Sequence, residues 1–391
     1  MDTRIRTRNA TLAFYLYFLI MNFAKGMGMS SQSKAYNLIF IGSLVFLAIK
    51  LVYTKYTRTE IITMVVLVLL GLMFAIRAKE NTMLFAILAV IGMKDINFKD
   101  LMEKTFLVRL CSIILIRFVC EYGLLEDVDK MTGPSGRTLH SWGYSDSNTL
   151  MVNIFIVMAL FIYINYERLN IIHCFITFVI ATYGFEQSYS RTGYMLFILM
   201  WIIICCDKIV KRPRIRKAAY TLLSLMPLII MILSFTLSLN YSRTNKLMET
   251  INQALTGRLF IMNYYIHLYP FTLLGNTYEF WLNNAGEILA IVDNLYVTIY
   301  IYSGVLMLAA YVAALCWTLF KLSRLGYYQE VIIVSVISIY AFMEEFPLNP
   351  VVNPFCVLIA MAVFRTNLPR ELKADEKKSS NNNQYSVSVQ S

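Results

Sequence analysis

Residues 60–77 of this chain read EIITMVVLVLLGLMFAIR, with no charged side chain between Ile61 and Ile76. As a helix, a block of this length crosses a hydrocarbon core of about 30 Å. Similar blocks recur through most of the 391 residues, of which 58% are hydrophobic and 15% charged, whereas soluble domains have about 25% charged residues. Only helices and closed barrels satisfy their backbone inside lipid, and these blocks are too long and continuous for barrel strands. The sequence therefore predicts an all-α, polytopic transmembrane protein.

The apolar blocks predict about twelve helices, of which the fourth is short for a membrane span. They cover residues 10–24, 36–53, 60–77, 81–93, 105–122, 147–165, 169–187, 191–207, 218–237, 293–320, 328–345 and 351–365. An even number of crossings puts both termini on one side of the membrane. We expect a single transmembrane domain over residues 1–365, with outer loops at about 121–147 and 238–292. A polar, disordered cytoplasmic tail is expected at 366–391.

The basic residues alternate between the two ends of successive predicted helices. The formal net charge is +11, and the basic residues cluster at alternate ends of the predicted helices, as the positive-inside rule requires of cytoplasmic ends. The clusters are Arg4, Arg6 and Arg8; Lys50, Lys55 and Arg58; Lys94, Lys99 and Lys104; Lys208, Lys211, Arg212, Arg214, Arg216 and Lys217; Lys321 and Arg324; and Arg365, Arg370 and Lys373. Topology thus accounts for the charge without a nucleic-acid partner and places both termini in the cytoplasm.

The seven cysteines and three histidines form no metal-binding pattern. The cysteines lie in or at the ends of apolar blocks without a C-x-x-C pair, so we interpret them as small apolar residues. His140, His173 and His267 are scattered, and none belongs to a metal-ligand motif. We therefore expect neither a metal nor another cofactor.

Two arginines are expected near the outer surface. Arg191 lies in SYSRTGY at the mouth of the eighth predicted helix, and Arg258 lies in LTGRLF of the second outer loop. A guanidinium presents a rigid fork of donors that matches phosphate oxygens, so two at one depth can clamp a diphosphate. Alternatively, each anchors the chain to lipid head groups. His267, in the aromatic-rich part of the same loop, is a further substrate-binding candidate.

Asp293 and Asn294 stand in VDNLYVTIY, where the second outer loop enters the tenth predicted helix. An aspartate at such a position is an ordinary helix cap. It is also a carboxylate that can take the proton of an attacking sugar hydroxyl. The sequence leaves both roles open for Asp293, and Asn294 beside it is a candidate substrate-binding residue.

Further polar residues follow the first outer loop. Arg137, Asp146 and Asn148 lie in RTLHSWGYSDSNTL, before and at the start of the sixth predicted helix. Asp146 or Ser147 can cap that helix. Arg137 and Asn148 are candidate substrate-binding residues.

Charged residues also fall within or close to the predicted spans. Arg109 and Arg117 lie inside the fifth predicted helix, where a charge is costly unless it faces a cavity or a partner. Glu121 is one turn beyond Arg117 and can pair with it; Arg117 is also a substrate-binding candidate. Glu344 and Glu345 close the eleventh predicted helix before the rigid PLNPVVNP turn, and we interpret them as structural.

Five segments together resemble the Wzy-type O-antigen and capsular polysaccharide polymerases and the related O-antigen ligases. In order they are RTLHSWGYSDSNTL, SRTGYMLFILMW, LTGRLFIMNYYI followed by LLGNTYEF, VDNLYVTIYIYSGVL, and EEFPLNPVVNPFCVL. The resemblance covers about residues 137–364 and lies in the order of the motifs together with the topology. Related sequences often have histidine and proline where this chain has Asp146 and Ser147. Ligases typically have a histidine where this chain has Asp293, which favours a polymerase.

This resemblance implies a GT-C-like, membrane-embedded glycosyltransferase of the bacterial cytoplasmic membrane. It implies a donor and an acceptor oligosaccharide linked to undecaprenyl diphosphate, surrounding membrane lipids, and a flippase and chain-length regulator of the same pathway as partners. No metal and no nucleotide sugar is implied. By resemblance, Arg191 and Arg258 hold the donor diphosphate, and Asp293 orients or deprotonates the acceptor hydroxyl.

Other functions remain open from the sequence. A flippase or transporter of lipid-linked oligosaccharide is the main alternative, followed by an O-antigen ligase and a membrane scaffold. A transporter is expected to show similar helix halves and charges near the bilayer midplane. The sequence shows neither, and its outer loops are long.

Overall fold

The computed structural model describes residues 3–30, 33–78, 81–127, 138–210, 212–277, 281–282, 288–290 and 292–364. These residues form fifteen α-helices, together with 3-10 segments at Tyr166–Arg168, Phe346–Leu348 and Pro354–Ile359 and one short antiparallel ribbon of β1 (Trp281–Leu282) and β2 (Ile288–Ala290). The α-helices are α1 (Thr3–Gly26), α2 (Lys34–Tyr53), α3 (Arg58–Ala78), α4 (Thr82–Gly92), α5 (Phe98–Glu121), α6 (Ser147–Asn165), α7 (Ile171–Ser188), α8 (Arg191–Ile209), α9 (Pro213–Ser224), α10 (Met226–Leu239), α11 (Lys246–Ala254), α12 (Arg258–Leu268), α13 (Leu295–Arg324), α14 (Tyr328–Tyr340) and α15 (Ala360–Val363). The predicted helical class is confirmed, and the predicted tail at 366–391 lies outside the described residues.

Several of these helices have the length and composition of membrane spans. Five of the described helices qualify, namely α2, α3, α6, α8 and α13. Counting the bent pair α9 and α10 as one span makes six. The helices α4 and α14 and the segment Pro354–Val363 are apolar but shorter. Such helices are those of a helical membrane protein.

Proline interrupts two of the predicted helices. The block at 218–237 forms α9 and α10, which meet at an angle of 49°. Pro227 lies in the first turn of α10, where its missing N–H costs no helical hydrogen bond. The block at 351–365 begins as a turn, forms a 3-10 segment from Pro354 and ends in the single turn of α15. The second outer loop, in contrast, contains the helices α11 and α12.

One set of helix ends meets on a side of the bundle that we call the cavity face. It is formed by the C-terminal ends of α1, α3, α5, α7 and α14 and the N-terminal ends of α4, α6, α8 and α13. The Tyr144 hydroxyl, just before α6, donates to the Gly26 carbonyl of α1 at 2.8 Å. Nη1 of Arg77, in the last turn of α3, donates to the Leu274 carbonyl of the second outer loop at 3.2 Å. The helix ends predicted to be extracytoplasmic thus lie together.

The other set of helix ends forms what we call the basic face. Arg6 of α1 donates from Nε to the Tyr53 carbonyl at the end of α2 at 2.9 Å. Lys94, after α4, forms an ion pair of 2.5 Å with Glu60 in the first turn of α3. These are ends that the charge pattern assigned to the cytoplasm, so the packing follows the predicted alternation.

Arg109 of α5 joins four parts of the chain inside the bundle. Only 1% of this residue is exposed. Its Nε donates to Oδ1 of Asn22 at 3.2 Å, and its Nη1 donates to Oδ1 of Asn153 at 2.9 Å. Its Nη2 donates to the carbonyls of Val351 and Val352. The predicted need of this buried charge for partners is confirmed, because these groups satisfy it and join α1, α5, α6 and the turn before Pro354.

The helix α13 is broken at Gly304, where φ is 81° and ψ is 177°. The second outer loop takes up the released backbone groups. The Leu306 N–H donates to the Leu273 carbonyl at 3.3 Å, and the Asn276 N–H donates to the Ile301 carbonyl at 2.8 Å. A Cβ at Gly304 would lie 2.4 Å from the Leu273 carbonyl oxygen. Only glycine therefore fits the break, and the pairing satisfies backbone that lipid cannot.

Candidate active site

A polar cavity of about 440 Å³ lies on the cavity face. Four carboxylates from three parts of the chain line it: Asp146 before α6, Asp293 before α13, and Glu344 and Glu345 after α14. Lys25, near the end of α1, also lines it. Convergent ionisable groups in a concave site are the ordinary signature of a binding or catalytic site.

Arg258, the first residue of α12, holds two of these carboxylates. Its Nη2 donates to Oε1 of Glu344 at 3.2 Å, and its Nε lies 3.3 Å from Oδ2 of Asp293. Within the described part of the chain Nε has no partner in hydrogen-bond geometry, so its contact with Asp293 is an ion pair. Positive φ angles at Thr256 and Gly257, of 56° and 84°, turn the chain just before this residue. We call Arg258, Asp293 and Glu344 the Arg258 triad.

The cap of α13 is Asn294, not Asp293. Oδ1 of Asn294 accepts the Val297 N–H at 3.0 Å. Its Nδ2 donates to Oγ of Ser234 at 2.9 Å and to the Phe342 carbonyl at 3.0 Å. Asn294 is wholly buried by these contacts, which gives it a structural role instead of the predicted substrate contact. Asp293 is thereby left to face Arg258 and the cavity.

Burial changes the acidity of both carboxyl groups in the Arg258 triad. Burial and the charge of Asp293 raise the pKa of Glu344 to about 8, against the opposing charge of Arg258. Burial also raises the pKa of Asp293, and Arg258 again opposes the shift. At neutral pH Glu344 therefore carries a proton most of the time. Arg258 then faces one full negative charge instead of two.

Asp146 caps α6, as its position predicted. Its Oδ1 accepts the Thr149 N–H at 2.7 Å, and its Oδ2 accepts the Thr149 hydroxyl at 2.8 Å. The Ser145 hydroxyl also donates to Oδ2, at 2.7 Å. Asn148, predicted to bind substrate, lines the same cavity from the first turn of α6. This end of α6 therefore supplies hydroxyl, amide and carboxylate groups to the cavity wall.

Arg191 does not line this cavity. It is the first residue of α8, it is exposed, and its guanidinium lies 5.4 Å from the centre of the Tyr189 ring. The same helical turn approaches the end of α14, because a Cβ on Gly193 would lie 2.8 Å from the Tyr340 hydroxyl. Tyr340 precedes Glu344 by four residues. The structure thus brings the Arg191 turn to the end of α14, but neither Arg191 nor Arg258 lines the cavity.

The remaining predicted residues lie elsewhere. Arg117 forms the predicted ion pair with Glu121, at 2.7 Å, and lies outside the cavity. His267 is exposed on α12, and its Nδ1 lies 2.8 Å from the Asn263 carbonyl oxygen. Arg137 lies outside the described residues.

Sequence reasoning missed Glu344 and Lys25. Glu344 was interpreted as a structural residue that closes a helix, but α14 ends at Tyr340 and Glu344 reaches Arg258 from the turn that follows. The EE pair directly after an apolar helix was the available signal. Lys25 gave none, because a single lysine at the end of an apolar block looks like a membrane anchor. Among the residues described here, no group of three or more His, Cys, Asp or Glu has the arrangement of a metal site.

Two carboxylates that line the cavity, Asp293 and Glu344, share the guanidinium of Arg258 behind its wall, and the capped end of α6 lines the same cavity. Such a set can bind an anion, hold a hydroxyl group and accept a proton. Comparisons with protein-family models, with curated proteins and with solved structures found no match to this chain.

Proposed function

We propose that this protein is a membrane-embedded glycosyltransferase that joins undecaprenyl-diphosphate-linked oligosaccharide repeat units into surface polysaccharide. In this proposal the chain has a GT-C-like fold, crosses the bacterial cytoplasmic membrane twelve times and keeps both termini in the cytoplasm. The cavity face is then extracytoplasmic, and the lipid-linked donor and acceptor meet there.

The Arg258 triad is the observation that carries the proposal. Glycosyl transfer from a lipid diphosphate needs a cation for the departing anion and a base for the incoming hydroxyl. Arg258 and Asp293 supply these two groups 3.3 Å apart, and Asp293 lines a cavity whose wall also carries hydroxyl and amide groups. The segments that supply them, LTGRLF and VDNLYVTIY, are two of those that resemble the polysaccharide polymerases.

Bond making and breaking can be assigned to these side chains. The acceptor hydroxyl oxygen forms a bond to the anomeric carbon of the donor sugar, while the bond from that carbon to the diphosphate oxygen breaks. The electron pair leaves with the diphosphate, where Arg258 stabilises the charge that develops. Preorganised donors of this kind are a large catalytic term, and losing one typically costs about 100- to 1000-fold in rate.

The proton of the acceptor hydroxyl passes to Asp293. Burial raises the pKa of this carboxyl group, which makes it a better proton acceptor than an exposed aspartate. Glu344, whose pKa of about 8 keeps it protonated at neutral pH, donates a hydrogen bond to a diphosphate oxygen. Arg191, on the exposed first turn of α8, is the second arginine of the proposed clamp.

A flippase for the same lipid-linked oligosaccharide is the second candidate. The observation in its favour is the break in α13 at Gly304, because discontinuous spans beside a cavity are typical of transporters. In α13, however, the loop segment from Leu273 to Asn276 closes the break by hydrogen bonding. The proposed catalytic groups lie at the end of the helix and not at the break.

Deleting the gene from its host separates the two candidates. Loss of a polymerase leaves single lipid-linked repeat units on the outer side of the membrane, where a glycosidase added to spheroplasts digests them. Loss of a flippase leaves them protected inside. Unchanged amounts of long polymer in the deletion strain would overturn both functions.

A further inference from the structure

A second polar pocket, of about 550 Å³, lies on the cavity face. The described residues that line it are all different from those that line the first cavity. We call it the His140 pocket; the described residues that line it are Arg117, Cys120, Glu121, Gly123, Leu125, Glu126, Asp127 and His140. Neither the Arg258 triad nor the proposed reaction uses it.

His140 is held in this pocket by Asp127. Nδ1 of the imidazole lies 2.7 Å from Oδ2 of Asp127. The other carboxylate oxygen, Oδ1, accepts the Ser141 N–H at 2.6 Å and the Trp142 N–H at 3.2 Å. The His140 N–H itself donates to the Gln187 carbonyl of α7 at 2.9 Å. Ring and backbone are thus both fixed before any ligand binds.

The carboxylate also decides which ring nitrogen is free. Burial opposes ionisation of Asp127, but the hydrogen bonds from His140 and Ser141 outweigh it and lower the pKa of this carboxyl. An ionised carboxylate accepts the proton of Nδ1, so a neutral His140 keeps its lone pair on Nε2. In the described part of the chain Nε2 has no hydrogen-bond partner.

The charges around His140 indicate the chemistry of the ligand. Arg117 lies in the same pocket, with its guanidinium 4.9 Å from the centre of the Trp142 ring and 2.7 Å from Glu121. Among the described residues of the pocket, Glu121, Glu126 and Asp127 outnumber the guanidinium of Arg117, a balance that disfavours phosphate. The imidazole lone pair and the carboxylates accept hydrogen bonds and Arg117 donates them. A ligand with many hydroxyl groups, each both donor and acceptor, matches this set.

We propose that the His140 pocket recognises sugar hydroxyl groups of the lipid-linked oligosaccharide, with Nε2 of His140 accepting a hydrogen bond from the ligand. The proposal rests on the proposed function for the identity of the oligosaccharide. It assigns binding, and not bond making, to His140. The Gln187 contact places the pocket next to the turn that carries Arg191, which fits a site for sugars that extend away from the diphosphate.

Two substitutions separate ligand binding from structural support. In His140→Asn the amide nitrogen takes the place of Nδ1 and can still donate to Asp127, but Nε2 is gone. We expect KM for lipid-linked repeat units extracted from the deletion strain to rise about 3- to 10-fold, as for one or two lost hydrogen bonds, with kcat changed less than about twofold. His173→Asn is the matched control, because Nδ1 of His173 also bonds a side-chain oxygen, Oδ1 of Asn170, at 2.8 Å, on the exposed start of α7. A wild-type KM in His140→Asn, or a fall in kcat at unchanged KM, would overturn the proposal.

Chemical modification measures binding without polymer synthesis. Diethyl pyrocarbonate acylates free imidazole nitrogens, and mass spectrometry locates the products. The extracted repeat units should reduce modification of His140 and leave modification of His173 and His267, which lie outside the pocket, unchanged. Equal modification of His140 with and without the repeat units would overturn the proposal that this pocket binds them. If the repeat units protected His140 but the protein made no polymer, the binding proposal would stand and the proposed polymerase function would be overturned.

Discussion

Arg258 and Glu344 are 86 positions apart in the chain, yet Nη2 of the arginine lies 3.2 Å from Oε1 of the glutamate. The contact joins the start of α12 to the turn after α14, and Asp293 joins both from the start of α13. Three parts of the chain therefore meet at one guanidinium. A ligand that binds Arg258 must compete with the two carboxylates. Anion binding therefore depends on whether Asp293 and Glu344 are protonated.

Replacing Arg258 by lysine keeps the charge and removes the planar fork. We expect Arg258→Lys to lower polymer synthesis about 100-fold or more, because one ammonium cannot face Glu344, Asp293 and a diphosphate in the same geometry. Arg191→Lys should also lose most activity if it is the second arginine of the clamp. The assay is polymer formed by membranes that contain equal amounts of each protein.

Arg243→Lys is the matched control for these arginine substitutions. Arg243 is exposed in the same outer loop, with its guanidinium 4.3 Å from the centre of the Phe260 ring. This variant should remain active. Normal polymer from a stable Arg258→Lys or Arg191→Lys protein would remove that residue from the clamp.

Glu344 should give the pH profile of polymer synthesis an alkaline limb, in which activity falls as the pH rises. Its pKa of about 8 keeps the carboxyl group protonated below that pH. Above it a second negative charge appears beside Asp293 and competes with the diphosphate for Arg258, so activity falls as the pH rises through about 8. Glu344→Gln is neutral at every pH and should stay active without this limb. Glu345→Gln should keep it, and an unchanged limb in Glu344→Gln would assign the titration to another group.

Most helix positions could be predicted from the sequence because long apolar blocks with basic flanks are typical of membrane spans. The helices α11 and α12, in the second outer loop, were not predicted. The breaks could not be predicted as well. Gly304 lies in a continuous apolar block. The reason why the helix opens there is the loop segment from Leu273 to Asn276, which forms hydrogen bonds with the backbone of α13. A partner distant in the chain leaves no local pattern.

The candidate site could be predicted only in part, because it also depends on contacts between residues that are distant in the chain. Arg258 and Asp293 could be predicted because each is a charged residue of the second outer loop or of the point where that loop enters a helix. Glu344 was assigned to structure because its distance from Arg258 depends on packing across 86 positions. Asn294 was assigned to substrate because the sequence cannot tell which of two adjacent capping residues turns inward, whereas its bonds to Ser234 and Phe342 decide it.

The proposed topology places α11 outside the cell and the start of α9 inside it. Lys246, which begins α11, and Arg214, on α9, are both exposed. In a variant without the seven native cysteines, Lys246→Cys should react with an impermeant thiol reagent added to whole cells, and Arg214→Cys should react only after the membrane is opened. The reverse pattern would invert the topology and place the cavity in the cytoplasm.

Arg109 should stabilise the folded helix bundle. Arg109→Leu leaves the amide oxygens of Asn22 and Asn153 and the carbonyl of Val352 without their donor inside the bundle. Buried hydrogen bonds from a charged group contribute about 1.5 to 3 kcal/mol each, so we expect a marked fall in the melting temperature of the detergent-solubilised protein. Arg77→Leu, which loses one exposed bond to Leu274, should melt close to wild type. Equal melting of the two variants would show that the Arg109 network is not stabilising.

Asp293→Asn separates a base from a structural residue. The substitution keeps the size of the side chain and leaves the cap of α13 in place, because Asn294 provides it. An amide cannot usefully accept a proton near neutral pH, so polymer synthesis should fall about 100-fold or more if Asp293 takes the proton of the acceptor hydroxyl. The amount of folded protein in the membrane should stay near that of wild type.

Asn294→Ala is the opposite control, one position along the chain. It removes the cap and the bonds to Ser234 and Phe342, which together contribute about 1 to 3 kcal/mol, so less folded protein should reach the membrane. Activity per folded molecule should then fall less than in Asp293→Asn. If Asp293→Asn made nearly normal polymer, the proton of the acceptor would have to leave by another route, and the catalytic role would pass from Asp293 to the remaining acids of the cavity. Because both variants are scored for folded protein and for polymer, loss of stability cannot be mistaken for loss of the base.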